Sequence, residues 1–139
     1  MCNEVRTMTN ETAPYLKAIT FCISWLTDQA SDEKWALSDE EVCQLLGGIP
    51  LSSWHEWKEM AKGKQQFELN QDVIDRLVLL LKIHESITMS APSGAIYDFF
   101  KKPINHPTFE GKSAKESLLL DNSMDNLNKI MLFFRSRTF

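Results

Sequence analysis

The chain has 139 residues, 43% of them hydrophobic and 24% charged, with 15 Lys and Arg against 19 Asp and Glu for a formal net charge of −4. That length predicts one compact domain, or two small helical units sharing a core, and the composition excludes a disordered chain or a fibre. Residues 1–69 hold 6 basic and 11 acidic side chains, net −5, and residues 70–139 hold 9 and 8, net +1, so any nucleic-acid contact must use a local basic patch.

Cys2, Cys22 and Cys43 are odd in number, widely spaced and free of any C-x-x-C pair, which argues against a disulfide framework or a zinc knuckle and predicts a reducing, cytoplasmic setting. The N-terminus carries Glu4 and Glu11 and has no apolar core segment of a signal peptide. The longest strongly apolar run, 77–81, is far shorter than the roughly 20 residues that span a bilayer. The expectation is a soluble, intracellular protein with no membrane contact.

In chain order, the first dozen residues are polar and expected to be mobile, with structure beginning near Pro14. Tyr15, Ile19, Cys22 and Leu26, with Leu16 and Ile23 beside them, form the stripe of an amphipathic helix. The polar segment 27–34 predicts a loop. Ser38-Asp39-Glu40-Glu41 is a capping box that starts a helix. Val42, Leu45 and Leu46 give that helix an apolar face, and Gly47-Gly48 stops it. A second short helix from about Pro50 to Ala61 sets Trp54 and Trp57 one turn apart, and Lys62-Gly63-Lys64 closes it.

From Asn70 to about Thr88, Val73, Ile74, Leu77, Leu80, Leu81, His84 and Ile87 share one face, widened by Leu79 and Ile83. A face so broad predicts a central helix covered on more than one side. Ala91-Pro92-Ser93-Gly94 breaks it, and Ile96, Tyr97, Phe99 and Phe100 form a brief helical turn. The stretch "FFKKPINHPTFEGKSAKESLLL" then turns on its prolines and glycine and restarts at Ser113-x-x-Glu116, a second capping box. The last helix carries Leu127, Ile130, Met131 and Phe134. With no alternating strand pattern and no repeat, the predicted fold is all-α: a polar N-terminus and amphipathic helix over 1–34, a helix-turn-helix unit over 35–68, and a helical domain over 69–139.

Signs of catalysis are sparse. His55, His84 and His106 have no metal-ligand spacing; His84, on the apolar stripe, is expected to be a hydrogen-bonded core histidine and His106 a loop residue. There is no glycine-rich phosphate loop and no G-x-S-x-G elbow. Cys43 is expected to be a buried helix-face thiol. No enzyme, metal or cofactor is expected.

"LSDEEVCQLLGGIPLSSWHEWKEM", residues 37–60, has the spacing of a helix-turn-helix. In that motif the early residues of the second helix reach base edges; here these are Leu51, Ser52, Ser53 and His55, with Lys58, Lys62 and Lys64 available for phosphates. Glu56 and Glu59 lie on the same helix and oppose DNA. The competing reading is a bihelical brace whose tryptophans fill a core.

Taken together, "W-x-L-S-x-E-E-V-x-x-L-L-G" over 35–47, "W-x-x-W-K" over 54–58 and the stretch with Phe99-Phe100, Pro103, Asn105, Phe109, Gly111, Lys112, Ser113 and Leu118-Leu119 resemble the Xre/MbcA/ParS-type antitoxin family. The likeness runs from about Trp35 to the C-terminus. Phe100, Lys112 and Ala114 stand where such proteins usually have Trp, Arg and Pro, and Glu56 stands where Arg is frequent. The resemblance implies an antitoxin of a type II toxin-antitoxin system, acting as a homodimer. Its Xre-like helix-turn-helix would bind the operon's own promoter DNA, and its C-terminal domain would bind and occlude a RES-domain toxin that consumes NAD. On this chain the implied toxin-binding end is "FFRSRTF", with Phe133, Phe134, Arg135, Arg137 and Phe139 as contacts. Arg forms planar paired bonds to carboxylates and aromatics anchor interfaces; the alternative is a frayed helix end whose basic bias suits the helix dipole. Without the toxin, the remaining expectations are a transcriptional regulator or an interaction module with another partner.

Overall fold

The computed structural model describes residues 2–65, 67–92 and 94–137, with side chains from Leu16 onward. Helix α1 spans Cys2–Gln29 and so begins well before the start expected near Pro14. Residues 2–13 contain neither Gly nor Pro, but seven of the twelve are Cys, Asn, Val or Thr, weak helix formers, and Pro14 lies within α1, so local propensity does not explain the early start. Ile19, Ile23 and Leu26 are buried on its inner face, while Phe21 stands 62% exposed on the other. Cys22, assigned to the stripe by spacing, is half-buried; the side chain of Tyr15 lies outside those described.

After Gln29 the chain folds back on itself. Trp35 N–H donates to the Gln29 carbonyl at 2.9 Å and Leu37 N–H to the Ala30 carbonyl at 3.0 Å, with Ala36 in the left-handed region at φ +53°. This turn inserts Trp35 into the core, fully buried and stacked on Phe100 with ring centroids 4.0 Å apart.

Helix α2, Asp39–Leu45, opens on the expected capping box: Glu41 N–H donates to Ser38 Oγ at 3.1 Å, and Ser38 N–H to Glu41 Oε1 at 2.9 Å. The turn that follows requires Gly47. Its φ is +99°, and a Cβ there would meet Arg76 Nε and Asp72 Oδ2 at 3.0 Å. Helix α3, Leu51–Lys62, buries Trp54 and Ala61 and lies chiefly against α1.

Helix α4, Gln71–Ser90, is capped by Asn70, whose Oδ1 accepts from Val73 N–H at 3.0 Å. Val73, Leu77, Leu80, Ile83 and Ile87 are buried along it, and the predicted central position is observed: α4 contacts α1 on one side and has its most extensive contact with the last helix, α7, Met124–Arg135. Between them come α5, Asp98–Lys101, a 3-10 turn over Pro107–Phe109, and α6, Ala114–Leu120. Phe100 and Phe109 tether this irregular stretch, with 0% and 1% exposure. Ser113 restarts the helix as predicted, accepting from Glu116 N–H at 3.0 Å while its own N–H donates to Glu116 Oε1 at 3.1 Å.

Two further caps were not anticipated from the sequence. Ser123 Oγ accepts from Asn126 N–H at 3.2 Å to start α7, and the buried Asn126 amide donates to the Ser117 and Asp121 carbonyls at 3.2 and 2.7 Å to finish α6.

Among the described residues every regular element is helical and none is a strand, an all-α fold. One core draws on Ile23, Trp35, Leu46, Trp54, Leu80, Phe109 and Phe134 from all three predicted segments. Polar links reinforce that continuity. Gln44 Nε2 donates to the Leu119 carbonyl, Asn122 Nδ2 to the Gln44 carbonyl, and Arg76 to both Asp72 and the Asn122 carbonyl. No helix among the described residues is long and apolar enough to cross a membrane.

Candidate functional site

The most developed concavity lies where the C-terminal end of α7 meets α5 and the loop after it. It is an open trough of about 490 Å³, lined on one wall by Asp98, Phe99, Lys102 and Ile104 and on the other by Phe133, Phe134 and Arg137. The α7 wall follows from helical spacing: residues 130, 131 and 134 face α4 and are buried, which turns Phe133 and Arg137, one turn apart, toward the loop.

Phe133 is held on several sides. His106 and Phe109 meet it edge-on at 4.8 and 4.7 Å between centroids, and Phe134 does so at 5.3 Å. His106 is itself fixed, because its Nδ1 accepts from Thr108 N–H at 3.1 Å and caps the 3-10 turn. The Arg137 guanidinium carbon sits 4.8 Å from the Phe133 centroid, within cation–π range. Among the described residues Arg137 has no ion pair, while Lys102 Nζ is 3.4 Å from Asp98 Oδ2 across exposed side chains. The rim of the trough thus carries two cations and one carboxylate.

The five residues named for the C-terminal end divide accordingly. Phe133 and Arg137 line the trough. Phe134 also borders it, but at 1% exposure it is chiefly a core residue that pins the end of α7, so it presents no ring to a partner without unfolding that end. Arg135 is exposed on the last turn of α7. Phe139 lies outside the described residues.

Of the residues named for DNA, Ser52, His55, Lys58 and Lys62 recur at steps of three, three and four along α3. Ser52 and His55 are exposed and Ser53 is half-buried, on the outward side of α3 that also shows Glu56 and Glu59. Lys58 is engaged within the protein: its Nζ is 2.9 Å from Asp39 Oδ1, which also accepts from the buried Trp54 indole N–H at 3.0 Å, and it lies 5.5 Å from the Trp54 ring centroid. The Lys58 contact, with help from the Trp54 indole, holds the Asp39 carboxyl below its usual range. Lys62 and Lys64 lie with Lys17, Thr20 and Ser24 along shallow hollows between α1 and α3. Lys58 and Lys62 thus lie one and two turns beyond His55 on α3 and border the hollow shared with α1, together with Glu59.

His84 departs from its expected hydrogen-bonded state. It packs against Trp25 and Trp35 at 5.7 and 6.2 Å, and its buried Nδ1 has no hydrogen-bond partner, as is also true of Trp35 Nε1 and Gln29 Nε2. Burial, and then the charge of Lys34, push the His84 pKa down, with a smaller opposing effect of Glu85. Cys43 is buried on α2, and burial raises its thiol pKa.

Sequence reasoning named one wall of the trough and missed the other. Phe99, Lys102 and Ile104 stand some thirty residues before Phe133 in a segment read as a turn; their available signal was two aromatics followed directly by two lysines in "FFKKPI". No family model matches the chain, and neither the curated proteins nor the solved structures include a match to it, so the likeness to the antitoxin family rests on the sequence motifs alone.

Proposed function

We propose that this protein is the antitoxin of a type II toxin-antitoxin pair, a non-enzymatic homodimer that binds a RES-domain toxin and closes its NAD site with the end of α7. The observation that supports this most is the aromatic trough at the end of α7, where Arg137 is laid over Phe133 with no ion pair among the described residues. It occurs at the end of the chain to which the motif resemblance assigns the toxin. Rigid aromatics beside arginine are the commonest composition of interface hot spots, and no such cluster occurs on the outward face of α3.

Promoter binding through α3 gains less support, because Lys58 is engaged by Asp39 and the outward residues include Glu56 and Glu59. The test of the main reading is co-expression with the product of the adjacent gene, followed by affinity capture and measurement of cellular NAD. Copurification with restored NAD is the expected result. NAD loss that continues unchanged in the presence of this protein, with no partner captured, removes the reading.

A further inference from the structure

Three features of the trough between α5 and α7 bear on what it accepts. Its floor and walls are mainly apolar, from Phe99, Ile104 and Phe133. Its rim is cationic, and the two cations differ: Lys102 is shared with Asp98, whereas Arg137 has no ion pair among the described residues and is already oriented by the ring beneath it. An arginine so oriented loses little freedom when it binds, and its planar fork matches a carboxylate. Finally, the trough is half open to solvent rather than enclosed. Small-molecule sites bury most of their ligand's surface, which an open trough does not do, while a polypeptide segment supported by its own protein needs only one face covered.

From these features we infer that the trough docks an acidic segment of a partner protein: an aromatic or large aliphatic side chain seated among Phe99, Ile104 and Phe133, with a flanking carboxylate on Arg137 and a second near Lys102. The inference rests on the proposed role of this end of α7 and goes further by specifying the chemistry that the partner must bring. It uses the loop wall as much as the helix end, so Lys102 belongs to the recognition surface alongside Arg137.

The test uses the full chain and a defined probe, acetyl-Glu-Phe-Asp-amide, titrated while amide shifts are followed by nuclear magnetic resonance. The expected result is saturable shifts confined to the trough. Binding should be at least fivefold weaker for the same peptide with Gln and Asn in place of the acids, and at least tenfold weaker for Arg137→Glu. Arg137→Lys should retain part of the affinity, since charge is kept and the fork is lost. Both substitutions are at an exposed position, and an unchanged spectrum elsewhere verifies the fold. Equal affinity for acidic and neutral peptides, shifts centred outside the trough, or no saturable binding overturns the inference. Capture of the neighbouring gene product separates the two levels. If that product is captured equally by wild type, Arg137→Glu and Lys102→Glu, the antitoxin reading stands and the trough inference falls; if the peptide binds as expected but no toxin is captured, the reverse holds.

Discussion

Replacing Asp39 with alanine removes one oxygen that serves two donors. The Trp54 indole is fully buried and donates only to Asp39, at 3.0 Å; leaving such a group unpaired costs about 1–3 kcal/mol. The ion pair with Lys58 is between partly exposed side chains, 43% for the carboxylate, and contributes at most about 1 kcal/mol. Asp39 also sits in the first turn of α2, where its charge meets the helix dipole favourably. Together these predict a loss of about 3 kcal/mol for Asp39→Ala, which for a chain of this length corresponds to a fall in Tm of roughly 10 °C. Asp39→Asn keeps an acceptor for the indole and loses only the charge, so its cost should be about 1 kcal/mol. Guanidinium titrations of the three proteins, followed by far-ultraviolet circular dichroism, measure both values. Because Lys58 and the indole depress the Asp39 pKa, the carboxylate's contribution is present at neutral pH and is lost as the pH falls below about 4 through the folded-state value. The gap between wild type and Asp39→Ala should therefore narrow in acid by about 1 kcal/mol, the charge-dependent part, while the protonated carboxyl still offers its carbonyl oxygen to the indole. A cost for Asp39→Ala under about 0.5 kcal/mol, or an equal cost for Asp39→Asn, refutes the assignment of the indole as the dominant partner.

Burial lowers the His84 pKa, so the unfolded chain takes up a proton first; stability should fall as the pH drops below about 6.5, and His84→Phe should flatten that limb in urea midpoints measured from pH 7.5 to 5. Lys34 adds to the effect and Glu85 opposes it, so neutralising Lys34 should shallow the limb. Ser113→Ala removes a fully buried cap and should cost about 1–2 kcal/mol, with earlier amide exchange at the start of α6. Gly47→Ala forces a side chain into a left-handed turn and against Arg76 and Asp72, and should cost about 2 kcal/mol in a thermal melt. Gly48→Ala, with open space at its Cβ, should lose less.

The elements that could be read from the sequence are those whose causes are local. Both capping boxes need only residues three apart, and the Val73 to Ile87 stripe is a single periodic face, so each was legible without knowledge of the rest of the chain. What escaped depends on partners distant in the sequence. Lys58 looks available for phosphate until Asp39, nineteen residues earlier, is placed beneath it. Phe134, which the spacing of the last helix places on its apolar stripe, is buried as that spacing predicts, whereas its naming as a contact within "FFRSRTF" set that periodicity aside. His84 sits on an apolar stripe, so its partners had to come from elsewhere in the chain, and the rings that meet it are those of Trp25 and Trp35. The early start of α1 is different again: its first turns are rich in Thr and Asn and precede Pro14, and no local sequence signal marks them as helical. Of the trough, the helix wall could be located by spacing, while the loop wall could not, because non-repetitive backbone leaves no periodic mark.

The four-residue helix α5 has adjacent rings with different surroundings: Phe99 lines the trough, and Phe100 lies flat against Trp35 in the interior. A displacement of α5 on one side is therefore transmitted to an indole on the other through a single peptide link. Trp35 is a built-in optical gauge of the trough, since its emission depends on the ring stacked on it, and a chain in which the other three tryptophans are replaced by phenylalanine would report occupancy without any attached dye.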